Sequence, residues 1–92
     1  MEKDVEKKLV DGIRKIGGVA FKFVSPGQSG VPDRMVVLPG GRIVFVELKT
    51  AVGRMTGLQK AQHRRLAALG CDVRTLYGDD DVVDFLKEVM PK

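Results

Sequence analysis

The sequence predicts a small α/β protein in which helices and strands follow one another in the order αβββαβα. Three observations support this prediction. Apolar residues recur at helical spacing, short runs rich in Val, Ile, Leu and Phe lie between the helical segments, and glycine or proline separates them. Strands flanked by helices are typical of a small mixed sheet with helices packed on it. The 92 residues fit one domain of ordinary size.

Three helices are predicted, over residues 2–16, 57–69 and 82–89. In the first, Val5, Leu9 and Ile13 lie four residues apart and so share one face. Glycines follow the first two helices and end them. Acidic residues at 79–81 precede the third helix, where they are expected to cap it and to complement its dipole.

Four strands are predicted, over residues 19–24, 34–38, 42–49 and 71–77. Between the second and the third lie Pro39, Gly40 and Gly41, and paired glycines supply the positive φ angles of a tight hairpin. These two strands are therefore expected to pair antiparallel. With Gly40 and Gly41 as the turn, Asp33 lies opposite Leu48, within one residue.

Composition and charge exclude several classes of protein. A hydrophobic fraction of 43% and a charged fraction of 30% are typical of a globular chain rather than a disordered one. The single cysteine excludes an internal disulfide and a thiolate-rich zinc site. No apolar run approaches the ~20 residues of a membrane span and no hydrophobic leader is visible, so a cytoplasmic protein without a membrane partner is expected. The net charge of +4 is weak evidence for a nucleic-acid partner.

Two carboxylates and a lysine are expected to meet where the hairpin strands end. Glu47 and Lys49 are two residues apart in a strand, so their side chains project to one face, and Asp33 lies beside them. Such a group is either a salt-bridged surface cluster or a site where carboxylate oxygens and water bind Mg²⁺ or Mn²⁺. The apolar run at 43–46 indicates that Glu47 ends a well-buried strand, which favours the metal site.

Several sequence blocks extend this pattern over nearly the whole chain. In order, they include Gly30-Val31-Pro32-Asp33-Arg34, Leu38-Pro39-Gly40-Gly41, Val46-Glu47-Leu48-Lys49 and Leu58-Gln59. Together they resemble the active-site pattern of the PD-(D/E)xK nucleases, and in particular the stand-alone, minimal form of the VRR-NUC family. The resemblance implies a restriction-endonuclease-like core and a single VRR-NUC-like nuclease domain over residues 1–92.

The resemblance also implies roles for the clustered residues. Asp33 and Glu47 would bind the divalent ion, Mg²⁺ or Mn²⁺, and the backbone carbonyl of Leu48 would be a further ligand. Lys49 would be the catalytic lysine.

The resemblance implies two further site residues, an acidic residue and a glutamine, and this chain has two candidates for each. The family has an acidic residue in its first helix, for which Glu6 is chosen, while Glu2 lies one helical turn earlier on the same face. Gln59 matches the family's glutamine after the lysine strand. Gln62 projects nearer the centre of the apolar arc of that helix, so geometry alone leaves the two glutamines open.

A set of basic and polar residues is expected to contact DNA phosphates, which positions DNA without reading its sequence. The set comprises Lys22, Ser25, Arg34, Arg54, Lys60 and Arg64. The alternative is a solvated helix face for those on the second helix. His63 lies beside Arg64 and Arg65, and a solvated or phosphate-contacting histidine is favoured over a catalytic one.

The resemblance implies a metal-dependent, structure-selective DNA endonuclease of repair and recombination, acting as a homodimer on four-way (Holliday) junctions. No separate DNA-reading module is visible, so selectivity would come from DNA shape and from the spacing of two active sites. The alternatives are a flap-processing, end-processing or nicking nuclease, and a DNA-binding module without catalytic activity.

Overall fold

The predicted order of elements is confirmed in the computed structural model, which describes residues 3–91. The elements are α1 (Lys3–Lys15), β1 (Val19–Lys22), β2 (Arg34–Val37), β3 (Ile43–Lys49), α2 (Gly57–Ala68), β4 (Asp72–Tyr77) and α3 (Gly78–Val89). Most bounds lie within one residue of the prediction. Strand β1 is two residues shorter, because the chain leaves the sheet for the loop that leads to Asp33.

The four strands form one mixed sheet in the order β1-β2-β3-β4. Strands β1, β2 and β3 pair antiparallel, and β4 pairs parallel with β3. Helix α2 is the crossover that a parallel connection requires. The small mixed sheet flanked by helices, as predicted, is therefore the architecture of this chain.

One face of the sheet is covered by α1 and α3. Val5, Leu9 and Ile13 of α1 are buried, as their spacing predicts, and pack with Val36 and Val44 of the sheet. The two helices approach closely at Gly12, where a Cβ atom would lie 2.5 Å from a methyl carbon of Leu86. This layer is the hydrophobic core.

The opposite face is only partly covered, because α2 packs near β4. On this face, the strand register aligns apolar side chains in two rows across β1, β2 and β3. One row comprises Val19, Val37 and Ile43, and the other comprises Phe21, Met35 and Phe45. We call these six residues the apolar sheet face. Val19, Phe21 and Ile43 are 48%, 51% and 46% exposed. The prediction that Glu47 lies near the end of a well-buried strand is correct for Val44 and for residues 46–48, whereas Ile43 is exposed and Phe45 and Lys49 are half-buried.

Helix α3 begins earlier than predicted, at Gly78 rather than Val82. Gly78 has φ +73, which lets the chain turn directly from β4 into the helix. The acidic residues therefore form the first turn of α3 instead of preceding it. Asp81 accepts a hydrogen bond from the backbone N–H of Tyr77 at 2.8 Å.

No helix within residues 3–91 is both long and apolar enough to cross a membrane.

Candidate active site

Asp33 is held at the end of the loop that joins β1 to β2. Its carbonyl accepts a hydrogen bond from the N–H of Phe23 at 2.7 Å, and Pro32 beside it is fully buried. At Gly30, with φ +88, a Cβ atom would lie 2.9 Å from the carbonyl oxygen of Leu58. The loop therefore packs tightly on the start of α2, and this packing fixes where Asp33 enters the sheet.

The hairpin register places Asp33 beside Glu47. Arg34 pairs with Val46, so Asp33 lies opposite Glu47 rather than Leu48, within the one-residue margin of the prediction. The difference arises because the loop has three residues, closed by a 2.8 Å hydrogen bond from the N–H of Leu38 to the carbonyl of Arg42. Asp33 Oδ2 also accepts the N–H of Leu48 at 3.1 Å.

Glu47 is the centre of the cluster and is only 2% exposed. Its Oε2 lies 3.3 Å from Nε2 of Gln59, which donates a hydrogen bond, and 3.5 Å from Nζ of Lys49. The pKa of Glu47 is raised to about 7: burial is the largest cause, the negative charge and hydrogen bonding of Asp33 add to it, and Lys49 partly opposes both. A carboxylate as buried as Glu47, beside the half-buried Asp33, differs from the solvated surface cluster that the sequence left open.

The structure distinguishes the two candidate glutamines. Gln59 forms a capping box with Thr56: its N–H donates to Thr56 Oγ1 at 3.1 Å and its Oε1 accepts the N–H of Thr56 at 2.9 Å. This fixes the amide so that Nε2 reaches Glu47. Gln62 instead donates to Gln28 Oε1 and to the carbonyl of Ser29, at 3.1 and 3.2 Å.

His63 is buried, at 8% exposure, so the prediction of a solvated or phosphate-contacting histidine is wrong. It lies one helical turn after Gln59 and on the same face of α2, because residues four apart are neighbours on a helix. The apolar arc expected for this helix does not face inward either, since Leu58 and Leu69 are 53% and 75% exposed. The spacing from Gln59 was the signal that could have identified His63.

Glu6 is not brought to the carboxylate pair. It binds the guanidinium of Arg34, which also donates to the carbonyl of Ala20 at 3.1 Å. Glu2 lies outside the described residues. Within residues 3–91, no group of three or more Asp, Glu, His and Cys residues could hold a metal ion, so the described acidic ligands number two, Asp33 and Glu47.

The cluster opens into a cleft at the ends of β3 and the Asp33 loop. Its walls comprise Asp33, Glu47, Leu48, Lys49, Thr50, Gly53, Arg54 and Gln59. The side chain of Leu48 is buried in the core, so its backbone lines the cleft. Lys49 is 19% exposed and is the cation nearest to Glu47.

Replacing Glu47 with glutamine should stabilise the metal-free protein at high pH. The raised pKa means that the folded state binds a proton more tightly than the unfolded state, whose value is about 4.5. Wild-type stability therefore falls as pH rises from about 4.5 to 7, whereas Glu47→Gln lacks this loss. We therefore expect the free energy of unfolding of Glu47→Gln, relative to wild type, to be about 2–3 kcal/mol higher at pH 8 than at pH 4. Urea unfolding in EDTA measures it.

The matched control is Glu88→Gln, because the exposed Glu88 pairs with Arg74, which lowers its pKa. Relative to wild type, Glu88→Gln should lose stability as the pH rises from 4 to 8, and the change should be smaller than that of Glu47→Gln. A Glu47→Gln variant that loses stability equally at both pH values would contradict the assignment.

The fold and the site together define the class of protein. The chain has a mixed four-stranded sheet flanked by helices, with one carboxylate just before β2, a second near the end of β3 and a lysine two residues after the second. This is the arrangement of the restriction-endonuclease-like proteins. A solved structure described as "VRR_NUC domain" superimposes with a TM-score of 0.84 and is 34% identical, over 95% of this chain and 94% of its own. The chain belongs to the VRR-NUC family.

Two further known proteins are similar to this chain. The protein named "Putative nuclease p44", from Acyrthosiphon pisum secondary endosymbiont phage 1, is 53% identical over 79 residues, which are 86% of this chain and 85% of the relative. Another solved structure, "VRR_NUC domain protein", is 17% identical with a TM-score of 0.64, over 98% and 90% of the two chains, and supports the fold alone. No family model matches the chain.

Proposed function

We propose that this chain is a metal-dependent endonuclease that hydrolyses DNA phosphodiester bonds, with residues 1–92 acting as one nuclease domain. The observation that carries the proposal is the convergence of Asp33, Glu47 and Lys49 in one cleft, with Glu47 almost fully buried. Burying Glu47 beside the half-buried carboxylate of Asp33 is unfavourable unless positive charge compensates the two. A nuclease site provides a reason for this arrangement, since it needs a cation where the phosphate binds.

The donor set suits Mg²⁺ or Mn²⁺. Asp33 and Glu47 would hold the ion through carboxylate oxygens, with the backbone carbonyl of Leu48 as a third ligand, and oxygen donors are those that both ions prefer. The fit is supported by the raised pKa of Glu47, because a divalent cation between the carboxylates would relieve the repulsion from Asp33. When bound, the ion supplies a Lewis acid for the phosphate and makes a coordinated water more acidic.

Lys49 supplies the chain's own positive charge at the reacting phosphate. Its ammonium group lies 3.5 Å from Glu47 Oε2 and reaches the cleft. There it would orient the attacking water by hydrogen bonding and would stabilise negative charge as it develops on the phosphate oxygens. Gln59 holds the carboxylate of Glu47 in place through its amide. We propose no contact of Glu6 with the substrate, since its partner is Arg34.

DNA would reach the cleft along exposed basic residues. Arg54 lines the cleft, and Lys60 and Arg64 are exposed on the neighbouring helix α2. Lys22 is exposed at the end of β1, and Ser25 lies in the loop that follows it. Contacts from these residues to phosphates would orient the duplex without reading its sequence. Arg34 is left out of the proposed contact surface, because its guanidinium is 13% exposed and bound to Glu6.

A second copy of this chain is the partner that we propose for the apolar sheet face. None of its six residues is charged, and a two-fold axis through the patch would bring identical apolar rows together. A small domain also has little buried surface of its own, so burial of exposed residues such as Phe21 would add stability. The row next to the patch contains Asp33 and Glu47. The two active sites of a dimer would then flank its interface.

Two sites at a fixed distance suit paired cuts in a branched substrate, so we propose the four-way junction as the preferred DNA. The test compares a labelled four-way junction, a flap and a linear duplex of matched sequence, each with Mg²⁺, Mn²⁺ or EDTA. We expect symmetric, metal-dependent cuts in the junction. Cleavage of the flap alone would overturn the junction proposal while retaining the nuclease. Metal-independent binding without cleavage of any substrate would overturn the nuclease itself.

A further inference from the structure

Two buried polar atoms face each other behind the active site without a hydrogen-bond partner. They are Oε1 of Glu47 and Nε2 of His63, which lie 3.9 Å apart. Both side chains are more than nine-tenths buried. Among the described residues no other group satisfies either atom, and an unsatisfied buried polar atom costs about 1–3 kcal/mol. Such a pair in a small core calls for a functional explanation.

The two oxygens of Glu47 have different surroundings. Oε2 meets Lys49 and Gln59, both of which line the cleft. Oε1 lies 3.9 Å from Nε2 of His63. His63 does not line the cleft but a separate depression, together with Lys60, Arg64, Val73 and Thr75 among others. His63 therefore approaches the carboxylate from outside the cleft that Lys49 and Gln59 line.

The imidazole has the chemistry that this oxygen needs. A neutral imidazole carries a single N–H, on Nδ1 or on Nε2. With that hydrogen on Nε2, the ring is a donor facing an acceptor. A movement of about 1 Å brings the 3.9 Å separation to hydrogen-bond length.

We propose that His63 is a positioning residue whose Nε2–H holds the inner oxygen of Glu47 when the outer oxygen binds a divalent cation. The inference rests on the proposed metal site. Carboxylates that bind metals are themselves held by hydrogen bonds from a surrounding shell, and loss of such a bond weakens metal binding by about 10–100-fold. His63 would not contact the metal, and Lys49 would keep its role in the reaction.

Nitrogen-15 NMR of the imidazole tests the geometry directly. His63 is the sole histidine, so protein freed of any purification tag gives one set of imidazole signals. We expect the hydrogen on Nε2 and a saturable shift of the Nε2 signal as Mg²⁺ is added. The same titration of Asp33→Asn should leave the signal unmoved. A hydrogen on Nδ1 with and without Mg²⁺ would overturn the proposal.

Calorimetric titration with Mn²⁺ tests the energetic role. His63→Leu should bind Mn²⁺ at least about 10-fold more weakly than wild type. His63→Gln, whose amide can donate at a similar reach, should stay within a few-fold of wild type. Arg65→Leu, on the exposed side of α2, is the matched control and should bind Mn²⁺ normally.

The outcomes separate this inference from the proposed function. If wild type binds neither Mg²⁺ nor Mn²⁺, both fail. If wild type binds Mn²⁺ and His63→Leu binds it equally well, only the role of His63 is overturned. If His63→Gln is as weak as His63→Leu and both melt at a lower temperature than wild type, His63 is a packing residue and the proposal is again overturned.

Discussion

Lys49→Met should lower the single-turnover rate of DNA cleavage by about 10³-fold. Methionine retains an unbranched apolar side chain but removes the ammonium group that lies 3.5 Å from Glu47 and lines the cleft. Without this charge, the attacking water loses its donor and the phosphate loses a source of transition-state stabilisation. The measurement is the initial rate on a labelled junction in excess enzyme and saturating Mg²⁺, with the melting temperature recorded for each protein.

The matched control is Lys60→Met, because Lys60 is an exposed lysine on α2 outside the catalytic cluster. This variant should cleave within a few-fold of wild type, with a weaker salt dependence of DNA binding. If Lys49→Met folds normally and cleaves as fast as Lys60→Met, the catalytic role of Lys49 is wrong.

If the proposed dimer forms, Phe21→Glu should convert it to a monomer, weakening self-association by about 30-fold or more. Phe21 is 51% exposed in the apolar sheet face, so the charge is tolerated in the monomer but would be buried in the dimer. Sedimentation equilibrium over a concentration series measures the change. On a four-way junction, we expect single nicks to persist and paired symmetric cuts to disappear.

Leu69→Glu introduces the same charge at a residue that is 75% exposed at the end of α2, outside the apolar sheet face. This control should remain a dimer and make paired cuts. A wild-type protein that is monomeric both alone and on DNA would contradict the proposed partner, as would a Phe21→Glu variant that still dimerises.

The sequence is sufficient to predict those parts of the site that depend only on a local turn or on the alternation of side chains along a strand. The residues Pro39-Gly40-Gly41 form a hairpin, and any tight turn there brings Asp33 to the end of β3 near Glu47. The single-residue difference in register comes from the length of the loop, which depends on φ angles at both Gly40 and Gly41. The alternation of residues along a strand then places Glu47 and Lys49 together without further information.

The remaining features depend on how α2 packs against the sheet, which periodicity alone does not fix. Helix α2 lies against β4 and leaves the β1 side open, so Phe21 is exposed although its strand reads as apolar. The same placement turns His63 inward. A helical wheel drawn from hydrophobicity places Leu58 and Leu69 on the inward face of α2, which is wrong. In the structure, Gln59 and His63 face inward, toward the buried carboxylate of Glu47.

The most direct test of the central claim is the metal dependence of cleavage at the Asp33–Glu47 pair. Wild-type protein and Asp33→Asn are incubated with the labelled junction in EDTA, and Mg²⁺ is then added in excess. We predict that wild type cleaves only after Mg²⁺ is added and that Asp33→Asn, folded and still bound to DNA, does not cleave. Cleavage by wild type in EDTA, or equal cleavage by Asp33→Asn in Mg²⁺, would contradict the account.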